Sequence, residues 1–237
     1  MNSLLRSLAD MGTEVFDILF PRVCVVCGKP LVAGEDVMCL GCLVDLPRTG
    51  QHRRQPNDIH TRLISLHAPL ERCASLFHYH KDNPYSTLIK AAKYRSRPSI
   101  GRHLGAMFAD ELKADGFFDG IDLILPVPIH FLRLLTRGYN QTVHIAQGVS
   151  KVTGIPIGDN LYAPRPHAAQ ARKRAEGRRV NAAGAFAVRN PEQLQGKHLL
   201  VVDDVITTGS TMVSALDTIK YAEPTVRLSV LSLALTY

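Results

Sequence analysis

Residues 201–211 read VVDDVITTGST. Asp203 and Asp204 end an apolar run, and Thr207, Thr208, Gly209, Ser210 and Thr211 come almost at once after them. The spacing predicts a strand, a turn and the N-terminus of a helix. Such a turn offers free backbone N–H groups, the positive end of a helix dipole and hydroxyl donors, which together cradle a phosphate. Two carboxylates would repel that phosphate, so they suit sugar hydroxyls, or a metal bridging them. A ribose 5-phosphate meets both demands. A Walker-type acid pair fits less well, because no G-x-x-x-x-G-K-[ST] occurs in the chain. An acid pocket for a transferred phosphoryl group would not need the hydroxyls.

A second cluster lies near the N-terminus. Cys24, Cys27, Cys39 and Cys42 form two C-x2-C pairs, and Cys73 stands alone. Two such knuckles suit a tetrahedral Zn²⁺ with every position filled, which makes the site structural rather than catalytic. Paired disulfides would need an oxidising compartment, and the sequence carries no signal-peptide pattern. A redox C-x2-C rarely comes as a matched set. Cys73 reads as buried and inert. His78 and His80 share one face of a predicted strand and read as structural histidines rather than a metal pair.

Hydrophobic patterning indicates the elements that must position these groups. The 237 residues are 46% hydrophobic and 21% charged, with a net charge of +7. That is a globular balance with a preference for anionic partners. No apolar run reaches the roughly 18–20 residues of a membrane span, and a cytoplasmic protein is expected. Leu4, Leu8, Met11, Val15 and Ile18 lie on one face of a predicted amphipathic helix over 1–20. A zinc module over 21–50, a polar linker over 51–72 and a larger domain over 73–237 complete the organisation. Strands are predicted over 73–80, 121–129, 196–205 and 225–237. Two helices broken near Pro98 are expected over 83–112. A further helix carries Tyr139, Val143, Ala146 and Val149 on one face, and another carries Met212, Leu216 and Ile219. Strands alternating with helices predict a parallel sheet whose ligands bind beyond the strands' carboxyl ends. Residues 90–97, KAAKYRSR, hold four cations; they form either a basic helix end or a loop that contacts phosphate. The basic excursion over 165–186 reads either as a surface loop or as a lid over an anionic substrate.

VVDDVITTGST resembles the binding motif of type I phosphoribosyltransferases, which bind phosphoribosyl pyrophosphate (PRPP) with Mg²⁺. The four-Cys module, KYR, PVP…RGYNQ, Q…R..N..GAF and this motif, in that order, resemble the ComF family. These are competence-associated, phosphoribosyltransferase-like proteins of bacteria, some implicated in DNA uptake. The resemblance implies an α/β fold of type I phosphoribosyltransferase kind, a parallel sheet flanked by helices with a small N-terminal zinc-binding module. It implies that Asp203 and Asp204 hold the ribose hydroxyls and that Thr207, Thr208, Gly209, Ser210 and Thr211 hold the 5′-phosphate. Pro128, Arg133 and Arg137 then lie on the pyrophosphate side, with Lys93 and Arg95 contacting phosphate. Gln170, Arg178 and Asn181 fall on lid positions. The chain departs from the family at Ser96-Arg97, where Gly-Asp is common, and at Lys173, an often apolar position. The reaction implied is displacement of pyrophosphate from C1 of the ribose by an acceptor that no sequence feature identifies. A module that binds PRPP and single-stranded DNA without turnover is the alternative, with competence-machinery proteins as partners. A zinc-dependent scaffold with a vestigial site is a third reading.

Overall fold

The computed structural model describes residues 22–63, 69–94, 97–164 and 185–236. The helix expected over 1–20 and most of the basic excursion lie outside the described residues.

Four strands form one parallel sheet: β1 (Leu70–Tyr79), β2 (Leu123–Pro126), β5 (His198–Ile206) and β6 (Arg227–Thr236). Their spatial order is β1-β6-β5-β2. β5 and β6 are apolar runs buried along nearly their whole length, as central parallel strands must be when helices cover both faces. β2 is short because Pro126 and Pro128 cannot donate to a ladder. A separate antiparallel pair joins β3 (Leu161–Tyr162) to β4 (Ala187–Val188), on either side of the basic excursion.

The helices are α1 (Leu40–Val44), α2 (Asp58–Arg62), α3 (Ser86–Tyr94), α4 (Pro98–Ala114), α5 (Phe131–Arg137), α6 (Gln141–Thr153) and α7 (Ser210–Ala222). Residues of β5 alternate between two cores. Leu200 and Val202 join Leu104, Phe108 and Ile145 on one face. Leu199 and Val201 join Ile59, Met212 and Leu216 on the other. α4 and α6 cross at bare backbone: a Cβ on Gly105 would lie 2.4 Å from the Ile145 carbonyl oxygen, and one on Gly148 would lie 2.1 Å from that of Arg102. The buried face of α6 is Gln141, Thr142, Ile145, Ala146, Gly148 and Val149. Tyr139 precedes the helix and Val143 is only half-buried, so the expected face is rotated.

The first expected strand starts three residues earlier than the sequence pattern indicates, at Leu70. The stretch expected as a linker is structured over 51–63, with a 3-10 turn at Gln51–Arg53 and then α2. The cysteine module shares the main core, to which Cys24, Val37, Met38 and Leu46 all contribute. Among the described residues, no helix is long and apolar enough to cross a membrane.

Candidate functional site

β2 and β5 are parallel neighbours, so the loops leaving their carboxyl ends lie side by side. Past β2, the Val127 N–H donates to the Val202 carbonyl at 2.9 Å. Its own carbonyl accepts from Asn140 Nδ2 at 3.1 Å and Thr142 Oγ1 at 2.6 Å. These bonds draw the start of α6 onto the strand end, and Asn140 also caps the helix. The Tyr139 hydroxyl donates to the Ala92 carbonyl, tying the same loop to α3.

Asp203 and Asp204 are both buried at the end of β5. The Asp204 N–H donates to Asp203 Oδ1 at 2.8 Å. Oδ2 of Asp204 lies 3.0 Å from Lys93 Nζ and accepts from Gln141 Nε2 at 2.8 Å. Gln141 in turn accepts from Arg137 Nη1 at 3.3 Å. Burial, reinforced by the charge of Asp204, pushes the Asp203 carboxyl up from 3.8 to about 8, against the pull of the Asp204 N–H and Lys93. Two carboxylates in so dry a place cannot both be ionised cheaply, so one proton stays.

Beyond the acids, Thr207, Thr208, Ser210 and Thr211 are exposed, while Gly209 is buried. Gly209 is the N-cap of α7, with φ 84. Having no side chain, it places no cap on the first-turn N–H groups of α7, of which that of Ser210 donates to Thr208 Oγ1 at 3.4 Å. A Cβ there would sit 2.7 Å from Leu63 Cδ2, so both backbone conformation and packing demand glycine. Thr208 Oγ1 and Ser210 Oγ lie 3.1 Å apart on the open side.

The fold therefore gathers Asp203, Asp204, the 207–211 turn and Lys93 at the carboxyl edge of the sheet. Pro128 is half-buried just after β2, Arg137 is half-buried at the end of α5, and Arg133 is exposed on α5. Lys93, expected on the phosphate side, pairs with Asp204, because a buried acid draws the nearest cation. Arg95, Gln170, Arg178 and Asn181 lie outside the described residues. Sequence reasoning assigned no role to Gln141 or to Arg62, whose Nη1 donates to the Thr207 carbonyl at 2.8 Å. The signal for Arg62 was present: Asn57 is a helix N-cap residue, and Ile59 and Leu63 are spaced as one helix face.

At the other end, the sulfurs of Cys24, Cys27, Cys39 and Cys42 all lie within 4.8 Å of one another. Cys27 and Cys39 Sγ are 3.7 Å apart. Four bonds of about 2.3 Å to a tetrahedral Zn²⁺ would put sulfurs about 3.8 Å apart, so the cluster has the dimensions of a metal site. Burial opposes ionisation of Cys24, but the N–H groups of Cys27, Cys39 and Val26 outweigh it and bring the thiol from 9.0 to about 6. Burial and its three neighbours push Cys42 the other way. Cys73 is fully buried in β1, and burial pushes its thiol up.

Residues 124–234 match the model of the phosphoribosyl transferase domain, a span that takes in β5, the acid pair, the turn and nearly all of β2 and β6. The DNA utilization protein YhgH of Salmonella typhimurium is 29% identical over 203 residues, covering 81% of this chain and 88% of that protein. Competence protein F of Haemophilus influenzae is 31% identical over 138 residues, covering 56% of this chain and 60% of its own. Residues 124–234 are thus similar to the phosphoribosyl transferase domain, and the chain, with its four-cysteine cluster, is similar to YhgH and to competence protein F. Among solved structures, glutamine PRPP amidotransferase from B. subtilis, complexed with ADP and GMP, aligns with a TM-score of 0.40 at 21% identity. That alignment covers 59% of this chain and 30% of the other.

Proposed function

We propose that the chain binds PRPP with Mg²⁺ at the carboxyl edge of the sheet and transfers its phosphoribosyl group in support of DNA uptake or use. The observation that carries this reading is the adjacency of an open hydroxyl-and-N–H turn to a buried, partly neutralised acid pair. The turn at 207–211 holds the 5′-phosphate, and Asp203 with Asp204 accepts from the ribose hydroxyls. Arg133 and Arg137 lie on the α5 side, where guanidinium forks bind pyrophosphate oxygens bidentately. Arg95 on the phosphate side and the lid positions Gln170, Arg178 and Asn181 belong to the same reading and lie outside the described residues.

Carboxylates, hydroxyls and pyrophosphate oxygens are the hard donors that Mg²⁺ takes, so the ion fits here. When bound, it supplies charge neutralisation for the leaving pyrophosphate. The chain's own part is positioning: the bond from C1 to pyrophosphate breaks and a bond to the acceptor forms, with positive charge developing at C1. The four cysteines hold a structural Zn²⁺. The DNA connection rests on the names of the relatives, YhgH and competence protein F.

Isothermal calorimetry tests the binding. Micromolar PRPP affinity that requires Mg²⁺ is expected, and it should vanish with Asp203→Ala plus Asp204→Ala. Equal heat from that variant and the wild type would sink the assignment. Pyrophosphate release in the presence of pooled bases distinguishes transfer from binding alone. Binding without release from any acceptor would make the protein a PRPP-responsive module.

A further inference from the structure

The segment between the cysteine cluster and β1 is built into the sheet and ends against the phosphate turn. β1 is an edge strand, and residues 47–57 lie along its open side. The Thr49 N–H donates to the Leu76 carbonyl at 3.0 Å, and the His78 N–H donates to the Pro47 carbonyl at 2.9 Å. Further along, Gln55 Nε2 and Asn57 Nδ2 each donate to the Cys73 carbonyl at 2.8 Å, while the Cys73 N–H returns a bond to Gln55 Oε1 at 3.1 Å. Asn57 then starts α2. Its side chain accepts from Ile59 N at 3.1 Å and His60 N at 3.4 Å, and its own N–H donates to His60 Nδ1. This fixes the direction of α2. Ile59 and Leu63 are fully buried among the residues beneath α7.

That direction delivers Arg62 to the far side of the turn. Its Nη1 donates to the Thr207 carbonyl at 2.8 Å and to the Thr236 carbonyl at 2.6 Å. One guanidinium nitrogen thus joins the turn after β5 to the end of β6. A carbonyl oxygen turned toward an anion repels it, and Arg62 holds that of Thr207. With Leu63 against Gly209, the turn is held at its start and at its middle. Charge-assisted bonds from guanidinium are stronger than neutral ones, so the grip is stiff.

We propose that Arg62, outside the 124–234 match to the phosphoribosyl transferase domain, is a positioning residue that sets the 207–211 turn for a phosphate monoester. This rests on the reading of the turn as the 5′-phosphate site. The expected effect is selective by half-site. Loss of one hydrogen-bonding anchor corresponds to about a tenfold change in affinity.

The test uses the full zinc-loaded chain as wild type, Arg62→Met and Arg62→Lys, below the unfolding range of the weakest variant. Two probes, ribose 5-phosphate and inorganic pyrophosphate, are titrated separately. Amide hydrogen exchange over 207–212 is read without ligand. The expected result is about tenfold weaker ribose 5-phosphate binding by Arg62→Met, unchanged pyrophosphate binding, faster exchange confined to the turn, and partial recovery in Arg62→Lys. Wild-type exchange and affinity in a folded Arg62→Met chain would overturn the proposal, as would equal loss of both probes. If Arg62→Met does not fold, Arg62→Lys decides. Its ammonium has a stem one atom shorter than the path to the Nη1 that bridges the two carbonyls, so it reaches both only with strain and its exchange should lie above wild type; wild-type exchange there overturns the proposal. Failure of the wild type to bind ribose 5-phosphate would instead reject the phosphate reading, while the exchange measurement still judges whether Arg62 sets the turn.

Discussion

A carboxyl that keeps its proton near neutrality gives the site a signature in the absence of any ligand. Burial first, and then the charge of Asp204, push the Asp203 carboxyl up to about 8 in the folded chain. In the unfolded chain an aspartate titrates near 4. Between those values the folded state binds one more proton, so stability falls as pH rises and the loss ends at about 8. His198 has its pKa lowered by burial, so it acts in the opposite sense, but only near and below 6.5. Proton uptake by the cysteines on unfolding also depends on pH but is common to both proteins, so the signature is a difference: from about pH 6.5 to about pH 8, wild type is expected to lose melting temperature relative to Asp203→Asn. A constant difference in melting temperature between wild type and Asp203→Asn over this window would show that Asp203 ionises normally. Sequence identified the acid pair and the turn because both sit in one contiguous string. It could not show that Lys93 and Gln141 converge on Asp204 Oδ2, because long stretches of chain separate both from it. Such meetings are products of topology, and no local pattern encodes them.

The elements that carry these side chains are held by contacts of very different legibility. β2, β5 and β6 could be read from apolar runs of parallel-strand type, and β1 from its alternation. The face of α6 could not be read correctly, because its buried side includes Gln141, Thr142 and Gly148, none of which scores as hydrophobic. Gly148 lies at the crossing with α4, which lets the two helices touch backbone to backbone and places Gln141, at the head of α6, within reach of Asp204. Replacing Gly148 with alanine would add helix propensity worth about 1 kcal/mol. It would also force a methyl group to within 2.1 Å of a carbonyl oxygen, so the helices must separate. Overpacking of this kind costs about 1–3 kcal/mol, and more where the obstacle is backbone. Gly148→Ala is expected to lower stability by about 2 kcal/mol, read as a reduced urea midpoint with unchanged slope. A midpoint equal to or above wild type would mean that propensity outweighs the clash and that the crossing can relax. The stretch over 51–63 escaped detection because its polar residues suggested solvent. Gln55 and Asn57 are instead spent on the backbone of β1, which closes an edge that would otherwise be open to pairing with another chain.

At the scale of the whole molecule, the cysteine cluster packs into the same core as β5, the strand that carries the acid pair. Cys24, Val37, Met38 and Leu46 bury themselves in the core that also holds Leu76, Phe77 and Phe108. The Tyr85 hydroxyl donates to the Cys42 carbonyl at 3.0 Å, just before α3, whose other end carries Lys93. Arg48 reaches Glu111 of α4 at 3.3 Å, and His103 of α4 lies 3.5 Å from Asp36. A metal that organises residues 24–42 therefore also organises the seat of α3 and the start of the edge cover along β1. An independent zinc knuckle would melt on its own when stripped and leave the sheet intact, since small metal modules fold only with their ion. Here the stripped module would withdraw Cys24, Val37 and Met38 from the main core, so the cost falls on the whole chain. Removing the metal with a strong chelator is expected to shift a single calorimetric transition downward by roughly 5–10 °C, the consequence of losing a few kcal/mol in a domain of this size. The same treatment should weaken PRPP binding at a temperature where the sheet is still folded, because Lys93 loses its fixed position beside Asp204. Scanning calorimetry with and without chelator, paired with a PRPP titration, measures both. Two separate transitions, with the upper one unmoved and PRPP affinity unchanged, would show instead that the cluster is an appendage without influence on the site.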